Sequence, residues 1–176
     1  MKSDVILIDN QETGFEAAVD EAKKVAVYRA LEGTDALHVQ LITEEMLSMA
    51  HSVTGINSAS FWIEAEGKEI CFHLTAKTVM DKEKKEELLA AATSRQNDAA
   101  VSFLGKLRDA FENALMADVD HGNDIPDDIM EDLANHEIES LEYDGYERSV
   151  LHKLADNIKI GIRGDMVDMK VTKKIA

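Results

Sequence analysis

The residues with the clearest chemical potential lie in TEEMLSMAHSVTG, residues 43–55. Met46 centres an apolar stripe formed with Val39, Ile42, Met49, Ala50 and Val53. At about 100° per residue, Glu45 falls at the edge of that stripe and Glu44 points nearly away from it. A carboxylate at the boundary between a core helix and a sheet can face a pocket and act as a general base. Without a pocket it is one more solvated acid, the commoner situation for glutamate. A second grouping lies in SASFWIEAEGKEICFHLTAK, residues 58–77. Cys71 and His73 are two apart and share one face of a strand, which could orient a thiolate; no third partner is recognisable. A lone cysteine more often serves as a small buried apolar group. Trp62 lies on the same side of the hairpin, opposite Phe61 and Ile63, so Trp62, Cys71 and His73 would form a contact patch on an open sheet face. That patch suits a protein partner or a second copy of the chain.

Other groupings are weaker. The six histidines, at 38, 51, 73, 121, 136 and 152, form no His-x-x-x-His pair and no HExxH. DVDHGNDIPDDI, residues 118–129, superficially resembles a calcium loop. The register requires an acid at loop position 5, Gly at 6 and Glu at 12, where this chain has Gly122, Asn123 and Ile129. A solvated acidic loop is the simpler reading.

The elements that would position these residues follow from periodicity. DVILIDN, residues 4–10, reads as a buried strand. Residues 13–33 read as an amphipathic helix through Phe15, Ala18, Val19, Ala22, Val25 and Ala26, with Gly33 as its stop. Thr34 or Asp35 would cap the helix carrying Glu45. Residues 58–77 alternate with period two on both sides of Glu66-Gly67-Lys68 and read as a β-hairpin. A charged helix is expected within 81–97 and an amphipathic one at 99–115, although Arg108 departs from its stripe. Residues 117–142 read as an acidic helical or loop insertion, with Pro126 opening a short helix. SVLHKLAD reads as helical, and a second hairpin closes the chain, with Ile158, Ile160 and Ile162 facing Val167, Met169 and Val171 across Gly164-Asp165. The expected fold is an α/β (α+β) two-layer sandwich, with about five strands in a mixed or antiparallel sheet and helices on one face.

Bulk properties narrow the class. A chain of 176 residues with 45% apolar and 31% charged residues fits one globular domain. The net charge of −16 argues against direct nucleic-acid binding and against anionic membranes, and leaves basic partners open. Cys71 is the only cysteine, so neither an internal disulfide nor a cysteine-based zinc cluster can form. The apolar run Val5–Ile8 is too short for a signal-peptide core, so a cytoplasmic protein is expected.

The order of elements resembles the GHKL ATP-binding fold of sensor histidine kinases, gyrase and Hsp90, and especially the anti-sigma factor serine kinases. The family's second helix carries a Glu that acts as base or positions water, then an Asn four residues on that binds magnesium. The resemblance places Glu45 at the Glu position and Met49 at the Asn position; if Glu44 is the match, Ser48 falls there instead. The family's Asp-x-Gly-x-Gly turn corresponds to LTAKTVMDKEKKEELL, which has no glycine and in which Asp81 comes late. Its glycine-rich lid corresponds to TSRQNDAAVSFLGKLRDAF, which keeps Thr93, Ser94 and Gly105. The resemblance therefore implies a divergent member. Such a member would act through protein–protein interaction, with ATP and magnesium binding, or kinase activity, as the alternative. A cytoplasmic enzyme of unrecognised type is a further alternative.

Overall fold

The computed structural model describes residues 1–9, 13–55, 58–100 and 150–175. Five strands make one sheet: β1 (Ile6–Asp9), β2 (Ser58–Glu66), β3 (Glu69–Lys77), β4 (Asn157–Arg163) and β5 (Met166–Lys174). Their order across the sheet is β1-β2-β3-β5-β4, and every neighbouring pair is antiparallel. Helices α1 (Phe15–Tyr28), α2 (Gly33–Thr54) and α3 (Lys82–Ala91) cover one face, making an α+β two-layer sandwich. Gly105 and the acidic insertion expected at 117–142 lie outside the described residues.

The sheet has two distinct faces because strand side chains alternate. Along both β2 and β3, residues alternate between buried and partly exposed for the whole strand. The register then carries each set across the sheet in rows. Ile63, Phe72, Val171 and Ile158 form one inner row, and Phe61, Leu74, Met169 and Ile160 the next. All eight are buried and meet Ile42, Met46, Leu47 and Met49 of α2, Ala18, Ala22 and Val25 of α1, and Leu88 of α3. Residues 150–154 are helical, and Leu151 joins this core at 1% exposure.

Both hairpin turns form where the sequence places them, with Gly67 and Gly164 in the left-handed region. The helix boundaries differ from expectation. Gly33 does not stop α1; the chain turns at Ala30, φ 51°, and Gly33 is the first residue of α2. The α2 cap is Glu32, without a capping side-chain hydrogen bond, so neither Thr34 nor Asp35 caps it. Gly14 is needed at the start of α1: with φ 99°, a Cβ there would lie 2.3 Å from the Leu7 carbonyl oxygen. Asp81 caps α3 by accepting the Lys84 N–H at 2.8 Å.

The segment after α3 leaves the helix and runs beside β4. The Thr93 N–H donates to the Ile158 carbonyl at 2.9 Å, and the Thr93 hydroxyl accepts the Ile158 N–H at 2.8 Å. Asn97 repeats this pattern with its amide, donating to the Ile162 carbonyl at 3.0 Å and accepting the Ile162 N–H at 2.8 Å. A single 3-10 turn over Asp98–Ala100 then lies on the sheet face opposite the helices, where Asp98 meets Lys159 at 3.7 Å.

Two substitutions test this packing. Phe72→Ala is expected to cost about 3–5 kcal/mol, read as a lowered midpoint in urea unfolding. Gly14→Ala is expected to cost on the order of 1–3 kcal/mol, because the new methyl group meets the Leu7 carbonyl in a left-handed backbone.

Candidate functional site

The residues singled out in the sequence fall into two places. On α2, Glu44 is exposed and accepts a hydrogen bond from Gln40 at 2.9 Å. Glu45 and Ser48 are half-buried, and each makes polar or electrostatic interactions. Met49 lies in the hydrophobic core at 2% exposure. A thioether in that position is a packing group with no oxygen to offer a hard cation such as magnesium. Among the described residues, Thr93 and Ser94 make contacts of their own. Thr93 anchors β4, and the Ser94 hydroxyl bonds within its own turn, accepting from the Gln96 N–H at 3.2 Å. One feature of this region is marked in the sequence only by spacing, Lys85 standing three residues before Leu88. Lys85, in a helix with high charge density, is only 3% exposed and takes part in interactions of its own.

The second place is the sheet face opposite the helices, where Trp62, Cys71 and His73 come together as expected. Register puts Trp62, His73, Lys170 and Lys159 in one row across β2, β3, β5 and β4. The Trp62 and His73 rings stack with centroids 4.8 Å apart and planes 2° from parallel. The Lys2 ammonium sits 5.1 Å from the Trp62 ring centroid, within cation–π range. Glu64, two residues along from Trp62 on the same face, ties the group together. One of its oxygens, Oε1, accepts from Trp62 Nε1 at 3.2 Å and pairs with Lys2 Nζ at 3.2 Å. The other, Oε2, lies 3.4 Å from His73 Nε2, an atom sealed from solvent and without a hydrogen bond of good geometry.

Electrostatics follow from this packing. Burial lowers the His73 pKa below its ordinary value of 6.5; Glu64 opposes the shift, while Lys170 and Lys2 reinforce it. The Lys2 hydrogen bond lowers the Glu64 pKa, Trp62 Nε1–H adds to it, and partial burial opposes it. Burial raises the Cys71 pKa, only partly offset by a hydrogen bond with Thr172. Cys71 is therefore held as a thiol, in contact with Glu69 at 3.5 Å and Thr172 at 3.8 Å. That environment disfavours the thiolate a nucleophile needs.

Two grooves open on this face. One of about 280 Å³ is bordered by Trp62, His73, Asp168, Lys159, Arg163 and Lys170. A larger one of about 540 Å³ runs past Leu7, Asp9, Ser60, Thr75, Lys77 and Met166. Glu45, Ser48 and Met49 line neither groove. Among the described residues, no three His, Cys, Asp or Glu side chains are grouped so as to hold a metal ion. No helix among them is long and apolar enough to cross a membrane.

The partners of Trp62 were unevenly visible in the sequence. Glu64 is legible from strand alternation, since it follows Trp62 by two. Lys170 requires the β3–β5 register, and Lys2 requires knowing that residues 1–3 lie along β2.

A depressed histidine pKa has a definite sign in stability. Above pH 6.5, His73 is neutral whether folded or unfolded, and its full contribution is present. As pH falls below that value, the unfolded chain binds the proton first and stability declines towards the lower folded pKa. Urea unfolding between about pH 8 and pH 5 should show this decline, and His73→Gln should flatten it. Cys71 should react with a neutral disulfide reagent more slowly than free cysteine at neutral pH; a faster reaction would mean that the thiolate is stabilised after all.

No protein-family model matches the chain, and no curated protein sequence matches it significantly.

Proposed function

We propose that this protein is a divergent GHKL-like regulatory domain that acts by binding another protein, its nucleotide-site motifs being degraded. The observation that carries this reading is the placement of Met49. At the position where the resemblance expects a magnesium-binding amide, the side chain is a core thioether at 2% exposure. Phosphoryl transfer depends on holding metal and phosphates in place, so losing that ligand removes a central requirement. Ser48, the alternative match, is half-buried with a single hydroxyl. The element order supports the scaffold half of the reading: strand, two helices, hairpin, helix and a closing hairpin.

The working surface in this reading is the sheet face opposite the helices, where an aromatic stack lies among lysines and open grooves. A cytoplasmic location and self-association go with the same proposal. Calorimetric titration with ATP, with and without magnesium, tests it. The expected outcome is no binding heat and no thermal stabilisation at millimolar nucleotide. Magnesium-dependent micromolar binding that disappears in Glu45→Ala would replace this reading with that of an ATP-binding kinase-like protein.

A further inference from the structure

We propose that Lys2, Trp62, Glu64 and His73 form a proton-responsive latch that ties residues 1–3 to the sheet at neutral pH and loosens them on acidification. The inference stands on shared partners and is independent of the functional reading above. Glu64 has one carboxylate and two cationic claimants: Lys2 at 3.2 Å on Oε1 and His73 at 3.4 Å from Oε2. The Trp62 indole is shared in the same way, with the imidazole stacked at 4.8 Å and Lys2 Nζ at 5.1 Å from its centroid. While His73 is neutral, Lys2 is the only cation among the described residues that contacts both. Protonation adds a proton to the ring and places an imidazolium whose Nε2 lies 3.4 Å from Glu64 Oε2, an ion pair the neutral ring does not make. The imidazolium also becomes a second cation on the indole, and its charge opposes that of Lys2.

Among the described residues, the other charged groups around His73 do not reverse this; Arg163, on the same groove, is a further cation. Lys170 lies directly across from it on β5, with Lys159 beyond on β4. Asp168 is engaged by the Thr75 hydroxyl at 2.8 Å, and Asp98 is paired with Lys159. Cys71, on the same strand, stays a thiol. Burial is the main cause that lowers the His73 pKa, and Lys2 adds to it after Lys170; by linkage, the proton on His73 disfavours Lys2 in its place to the extent of that contribution.

Lys2 matters because residues 1–3 lie along β2 beyond the end of β1. The Ala65 N–H donates to the Met1 carbonyl at 2.9 Å, the Ser3 N–H to the Ile63 carbonyl at 2.8 Å, and the Ile63 N–H to the Ser3 hydroxyl at 2.8 Å. The Met1 ammonium also donates to the Ala65 carbonyl at 2.6 Å. Lys2 adds the side-chain tie on the outer face, so its displacement leaves the segment with fewer holds.

Trp62 is the only tryptophan, so its fluorescence reports on the latch directly. In the full chain, emission is expected to be quenched on acidification from about pH 8 to pH 5, and His73→Gln is expected to abolish the change. Over the same range, hydrogen exchange at the Ala65 and Ser3 amides, corrected for intrinsic rate, should accelerate several-fold in the wild type and stay flat in His73→Gln. Lys2→Met should exchange quickly at both ends of the range, which keeps the test available if His73→Gln folds poorly. Protection at Ala65 that is independent of pH in the wild type, or Lys2→Met protection equal to wild type at neutral pH, would overturn the latch.

Discussion

The pairing of β3 with β5 is the constraint on which the rest depends. It joins residues 69–77 to residues 166–174 in one unbroken antiparallel register, Glu69 opposite Lys174 through Lys77 opposite Met166. A slip of one residue would send Val167, Met169 and Val171 to the outer face and Asp168 and Lys170 into the core. Both layers of the molecule are set by this register. The inner rows that receive α1, α2 and α3 run across it, and so does the outer row from Trp62 to Lys159. Closing a loop of this length is entropically costly and slow, so the pairing must be rewarded by the apolar rows it completes.

The legible parts of the fold are those with a local cause. The β2–β3 hairpin can be read directly because nine residues on each side alternate without a fault around Gly67. The β4–β5 hairpin is legible for the same reason. The helical stripe of α2 is legible through Val39, Ile42, Met46, Met49 and Ala50, all in the core. What failed locally was decided at a distance or by backbone geometry. The charged helix expected within 81–97 forms over Lys82–Ala91, but the course of the polar stretch after it is not legible locally, because Thr93 and Asn97 are taken up by Ile158 and Ile162, more than sixty residues away. Gly33 reads as the stop of α1, but α1 ends at Tyr28 and the chain already turns at Ala30; Gly33, also left-handed at φ 56°, stands at the start of α2. In KEKKEELL only spacing separates Lys85 from the other charged residues: it stands three before Leu88 and six before Ala91, and all three are buried.

The two candidate sites differ in the same way. Trp62, Cys71 and His73 were brought together in the sequence by strand parity alone, and parity is a strong rule. Glu45 was singled out by its place at the edge of a stripe, which fixes direction but not surroundings. Its neighbour Met49 contributes to the hydrophobic core, while Trp62 and its partners form a polar and aromatic cluster on the opposite face. Any binding chemistry at the two places would therefore be of different kinds, separated by the thickness of the sheet.

The bonds that Thr93 and Asn97 make to Ile158 and Ile162 have a consequence beyond local order. They occupy main-chain donors and acceptors along the outer margin of β4 that a foreign strand would otherwise seek. At the opposite margin, β1 is only four residues long, and Asp9 is already engaged by Thr13 through backbone and side chain. The sheet thus ends at both sides in short or occupied templates. Copies of this protein that meet at high concentration are steered away from ribbon-like growth, and association falls to side-chain surfaces instead.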